Sequence, residues 1–168
     1  MIVLYSQIKN SSLLSLDEQK NLGQVFDLVL QKSDMSIKGF LARTNSLLPT
    51  KKTVSKADII EISNNAVVVR DDSALVDLDE LPQIKQAIKS KLVGINQKVV
   101  TKSGKKIGNV YDYTIDSQSM LLTSIYIKSM FSDRIISRTA IISLEGKKIT
   151  IDDDFEVIKN AQAVPEAA

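Results

Sequence analysis

With no histidine and no cysteine among its 168 residues, the chain must draw any chemistry from carboxylates, lysines, hydroxyls and phenols. That removes the usual general base, the thiolate metal sites and every Ser-His or Cys-His nucleophile pair. Two carboxylates stand out by position. The pattern Gly-x-Val-x-Asp occurs as Gly23, Val25 and Asp27 and again as Gly108, Val110 and Asp112. Each aspartate lies among β-branched and aromatic residues, where a carboxylate is disfavoured unless it is exposed or hydrogen-bonded. Two roles fit. In the structural one the carboxylate accepts turn N–H groups or pairs with Lys or Arg; in the functional one it contacts a partner. Asp27→Asn separates them, costing mainly stability in the first case and mainly binding in the second.

Other charged groups form local runs. Asp71-Asp72 and Asp152-Asp153-Asp154 offer hard oxygen ligands, but they lack EF-hand spacing, and adjacent carboxylates on an extended chain point to opposite sides. Solvated strand ends and no metal are expected. Lys102-Ser103-Gly104-Lys105-Lys106 lacks the spacing of a phosphate-binding loop, so no nucleotide cofactor is expected either. No spacing assembles the remaining groups into a catalytic set, and the chain reads as a non-enzyme. Lys51, Lys52 and Lys56, and later Arg134 and Arg138, group positive charge that suits a phosphate backbone. Against this, 22 basic residues face 20 acidic ones and there is no tryptophan for stacking. A net charge of +2 implies neither a nucleic-acid nor a membrane partner, and only local clustering can do so.

The elements that must position these residues are encoded twice. Leu22-Gly23-Gln24-Val25-Phe26-Asp27 returns 85 residues later as Ile107-Gly108-Asn109-Val110-Tyr111-Asp112, an offset that also pairs Met35 with Met120, Phe40 with Ile125 and Arg43 with Lys128. A second block, Val54-Ser55-Lys56-Ala57-Asp58-Ile59-Ile60, returns at an offset of 82 as Ile136-Ser137-Arg138-Thr139-Ala140-Ile141-Ile142. The length difference falls in the loop between blocks, Thr44 to Thr53 against Ser129 to Ile135. Copies that agree along apolar positions and differ in a loop are copies of one folding unit. At roughly 60 residues each would bury only about 60% of its unfolded surface, so a substantial face between them is expected.

Within each copy the pattern is that of strands. Leu13 to Leu16 and Lys98 to Thr101 open the copies; Val25 to Leu30 with Ile37 to Ala42, and Val110 to Ile115 with Leu121 to Ile127, predict one hairpin each. Asp58 to Ile62 with Ala66 to Val69, and Ala140 to Leu144 with Lys148 to Ile151, predict a second. Short antiparallel strands in a small unit must close to hide their edges, which favours a small barrel. Met1 to Ser6 reads as a further short strand, without the basic start or cleavage site of a signal peptide. Between the copies Leu81, Ile84, Ile88 and Leu92 fall at helical spacing, with Pro82 near the start and Gly94 beyond the end. Asp77, Asp79 and Glu80 lead that helix and Lys85, Lys89 and Lys91 close it, as the macrodipole favours. Residues 159–168 read as a frayed tail.

The order of a Gly-x-Val-x-Asp segment after an initial strand, a hairpin, an apolar-Ser-basic segment, a double Ile and a final strand resembles the PRC-barrel domain, twice. That domain occurs in the photosynthetic reaction-centre H subunit and at the C-terminus of the ribosome maturation factor RimM. The likeness covers about residues 6–72 and 92–154. It implies a barrel used for interaction rather than chemistry, with adaptor roles in ribosome assembly, cell division or sporulation.

The expected protein is mainly β: two tandem small antiparallel PRC-barrel-like barrels, residues 1–78 and 95–158, joined by a connecting helix within 79–94. Its expected role is a cytoplasmic protein-interaction adaptor, with an RNA- or ribosome-binding factor as the second reading. No stretch of about 18 apolar residues exists, so no membrane insertion is expected; homo-oligomerisation is left open. Met130 and Phe131, large apolar residues on a predicted loop without a close counterpart in the first copy, are the chosen partner contact. Folding back as a lid over the barrel end is their alternative role.

Overall fold

Each copy of the repeat builds six strands, and both copies connect them in the same order. A computed structural model describes residues 1–89, 94–130, 132–146 and 148–158. The expected tail 159–168, Lys91 and Leu92 of the expected helix, and Phe131 lie outside these residues. Strand accounts for 52% of the chain and helix for 16%, so the class is mainly β, in two sheets of which one curls into a half-barrel.

The chain divides into two compact units, one of residues 1–92 with 114–122 and one of 93–113 with 123–168. In the first copy the strands are β2 (Ser12–Ser15), β3 (Lys20–Leu30), β4 (Ile37–Thr44), β5 (Lys51–Ser55), β6 (Ile59–Ile62) and β7 (Ala66–Val69). They lie in the order β5-β4-β3-β2-β7-β6. In the second they are β8 (Lys98–Thr101), β9 (Lys106–Asp116), β10 (Leu121–Lys128), β11 (Asp133–Ser137), β12 (Ile141–Glu145) and β13 (Lys148–Ile151). Their order, β11-β10-β9-β8-β13-β12, repeats the first.

One pairing in each sheet departs from the all-antiparallel expectation: β2 pairs β7, and β8 pairs β13, in parallel. The cause is a corner. Since β2 to β5 alternate direction, while β6 runs against β7, β5 and β6 must run the same way. A 3-10 turn, Lys56–Asp58, carries the chain round that bend without reversing it, and the Ser55 hydroxyl accepts the Ala57 N–H to start it. Arg138–Ala140 does the same after Ser137, whose hydroxyl accepts the Thr139 N–H. The repeated Val/Ile-Ser-basic block is thus a strand, a serine cap and a corner.

Equivalent positions fill equivalent cores. Leu13 and Val99, Val25 and Val110, Phe40 and Ile125, Ala42 and Ile127, Val54 and Ile136, Val67 and Ile149, and Val69 and Ile151 are all fully buried. Full burial of one such valine, leucine, isoleucine or phenylalanine contributes about 1.5–3 kcal/mol. Met35 and Met120, paired by the 85-residue offset, both adopt left-handed backbone, at φ 56° and 57°.

Three elements differ from expectation. β5 and β11 occupy segments that read as loop, and the N-terminal strand is only β1 (Ile2–Leu4), followed by the short helix α1 (Tyr5–Ile8). Within the first unit β1 pairs with Thr114 to Asp116, and Ser36 bridges Leu121. Helix α2 (Pro82–Lys89) sets Ile84 and Ala87 against Val29 of β3, with Leu41, Leu78, Leu81 and Ile88 around them. The acidic residues expected in its first turn instead belong to a separate 3-10 turn, Leu78–Glu80, with Asp77 at its N-cap and Asp79 and Glu80 within it. Edge strands β5 and β11 are each covered at one point by the chain that follows the last strand, Val76 bridging Thr53 and Val157 bridging Ile136.

Candidate partner-binding surface

The two glycines of the repeated motif are there for backbone approach. A Cβ on Gly23 would stand 2.1 Å from the Arg43 carbonyl oxygen, and one on Gly108 would stand 2.3 Å from that of Lys128. Arg43 and Lys128 are themselves paired by the repeat, so the same close crossing is made twice. Two residues on, Val25 and Val110 are buried.

The aspartates follow. A bulge between Val25 and Asp27 shifts the register of β3 against β4, which lets Val25 and Leu28 both face the core while Asp27 stays half-buried. The Asp27 carboxylate accepts the Tyr5 hydroxyl at 2.9 Å and the Leu28 N–H at 2.9 Å. Asp112 is buried, and its carboxylate accepts the Tyr113 N–H at 2.8 Å. Beside it Tyr111 and Tyr126 meet edge to face, ring centres 5.9 Å apart. Burial raises both phenols above their ordinary range, with the Asp133, Tyr126 and Asp112 charges adding to it at Tyr111 and the Asp112 charge at Tyr126. Tyr5 was not legible as a partner of the motif, since the short helix α1 carries no recurring spacing.

The acidic runs are turn formers. Asp71 accepts the Ser73 N–H and hydroxyl, and Asp153 accepts the Ser103 hydroxyl at 2.6 Å and its N–H at 3.1 Å; both are held below the ordinary carboxylate value by these bonds. Among the described residues no three acidic groups converge as a metal site. Shallow clefts of about 200 and 370 Å³ open at the two corners, beside Ile60 and Arg70 in one unit and beside Thr139 and Phe155 in the other.

The basic residues chosen from the sequence have different surroundings. Lys51 is exposed at the start of β5, while Lys52 pairs with Asp77 at 2.9 Å. Arg134 and Arg138 are half-exposed, on β11 and on the corner after it. Met130 stands in the turn between β10 and β11 and is 91% exposed. That turn is pinned by Ser129, whose hydroxyl donates to the Ser132 carbonyl at 2.7 Å. The equivalent turn in the first unit carries Leu47 and Leu48, also exposed. Two leucines before Pro49 in a predicted loop were the available signal.

Six strands in one order, a corner capped by serine and a buried Gly-x-Val-x-Asp strand are now in place. Residues 95–158 match the PRC-barrel domain. No curated protein matches the chain. The PRC-barrel stretch thus runs from just before β8 to just after β13 and contains Gly108, Val110, Asp112, Met130, Arg134 and Arg138. No helix among the described residues is long and apolar enough to cross a membrane.

Proposed function

We propose that the chain is a non-enzymatic adaptor of two PRC-barrel-like units, residues 1–78 and 95–158, joined through 79–94, that receives a protein partner at the Met130-Phe131 turn. The processes in view are those the family resemblance implies, ribosome assembly or cell division and sporulation. What supports the reading most is Met130 itself: a large apolar side chain 91% exposed on a turn whose own hydrogen bonds hold it there. The PRC-barrel match at residues 95–158 agrees with a domain that works by contact.

The test is affinity capture from the native cell extract, with and without nuclease, using the wild-type chain and Met130→Ser/Phe131→Ser. A partner that survives nuclease and is lost with the double variant, at unchanged melting temperature, supports the reading; capture that is indifferent to the substitutions contradicts it. RNA binding through the basic residues is the second reading, favoured by Arg134 and Arg138 remaining half-exposed. It requires retention on RNA at low salt that disappears at moderate salt.

A further inference from the structure

The first unit carries a surface that the adaptor reading leaves unused. In the turn between β4 and β5, Leu47 is 103% exposed and Leu48 83%. The turn is built to hold them there. At its base the Thr44 N–H donates to the Thr50 carbonyl at 2.9 Å and the Thr50 N–H donates to the Thr44 hydroxyl at 2.9 Å. Nearer the tip the Ser46 hydroxyl donates to the Leu48 carbonyl at 2.8 Å. A turn whose backbone is satisfied this way keeps both leucines in water rather than letting them fold onto the sheet.

Two cations stand behind the tip. Arg43 and Lys51 face each other across β4 and β5 just behind the leucines, both exposed and without an ion pair among the described residues. From residue 43 to residue 52 the cations are Arg43, Lys51 and Lys52, with no acidic residue, and Lys52 is already paired with Asp77 at 2.9 Å. Apolar side chains on a convex tip, backed by cations, complement the interface of an anionic bilayer, where leucines enter the headgroup boundary and cations meet lipid phosphates. RNA would take the cations and leave the leucines in water. In the second unit the position opposite Lys128 behind Met130 is Asp133, so the facing cations of the first turn are not repeated there.

We propose that the Leu47-Leu48 tip docks the protein on an anionic lipid surface, with Arg43 and Lys51 over the headgroups. The contact is shallow and needs no spanning segment; it qualifies the expectation of no membrane insertion drawn from hydropathy alone. The test is co-sedimentation of the full chain with phosphatidylcholine vesicles and with vesicles of which about a third is phosphatidylserine, a composition that gives the surface its negative potential. Binding to the anionic vesicles only, weakened by salt, is expected. Leu47→Ser/Leu48→Ser lowers the partition coefficient by about tenfold or more, as does Arg43→Gln/Lys51→Gln, with melting temperatures unchanged because all four side chains are exposed. No sedimentation with anionic vesicles at low salt overturns the proposal, as does equal sedimentation of the leucine variant. A protein captured through Leu47 and Leu48 without vesicle binding overturns it too, and gives the tip to a protein partner.

Discussion

Asp27 is held by two donors of different kinds, a phenol from α1 and the N–H of its own strand neighbour, and the phenol is the one that can be removed cleanly. Because hydrogen bonds to charged groups are worth more than neutral ones, Tyr5→Phe is expected to cost about 1.5–3 kcal/mol in urea unfolding. Asp27→Ala, which leaves the phenol no acceptor, should cost at least as much, and the two together clearly less than their sum, since both remove the same hydrogen bond. Additive losses would show that the bond does not form. Asp34, Asp71, Asp79, Asp116 and Asp153 are all depressed, chiefly by hydrogen bonds from Ser36, Ser73, Lys85, Gln118 and Ser103 respectively. A carboxylate depressed in the folded state stabilises it fully above the ordinary value of 3.8 and loses that contribution as pH falls through the folded value. Melting temperature should therefore be level down to about pH 5 and drop below pH 4, less steeply in Asp153→Asn. At this scale Asp27 was legible as a carboxylate in need of donors but Tyr5 was not, because a partner 22 residues away on a one-turn helix leaves no pattern.

At the scale of elements, the recurring block that begins at Val54 and Ile136 is the most informative feature, because it encodes a direction-preserving bend rather than another hairpin turn. That bend turns the last hairpin back along the first strand and makes one pair in each sheet parallel. The hairpins were legible because their strands alternate or run apolar. β5 and β11 were not, since Lys51-Lys52 and Asp133-Arg134 give each a charged start and only a short apolar run beyond it. Helix α2 was legible from Ile84 and Ile88, yet its buried face is completed by Ala87, a residue too small to register in a stripe of large side chains. Ile84 is fully buried against β3, and Ile84→Ala is expected to cost about 2–5 kcal/mol in chemical unfolding. A loss below about 1 kcal/mol would mean that the helix does not pack there.

At the scale of the molecule, the two sheets share an order but the compact units do not simply follow the repeat, because Thr114 to Leu122 belongs with the first unit. Those residues pair with β1 and bridge Ser36. A chain of residues 1–78 alone loses them together with α2, and it is expected to melt well below the intact protein; equal stability would contradict the division. Composition could not foresee this, since the segment carries the same strand pattern whichever unit it joins. One six-stranded order is folded twice. Backbone NMR cross-peaks between strands test it most directly: parallel contacts are predicted from Leu13 to Val67 and from Val99 to Ile149. Their presence in both copies is the expected result, and an antiparallel or absent pairing in either copy would contradict the account.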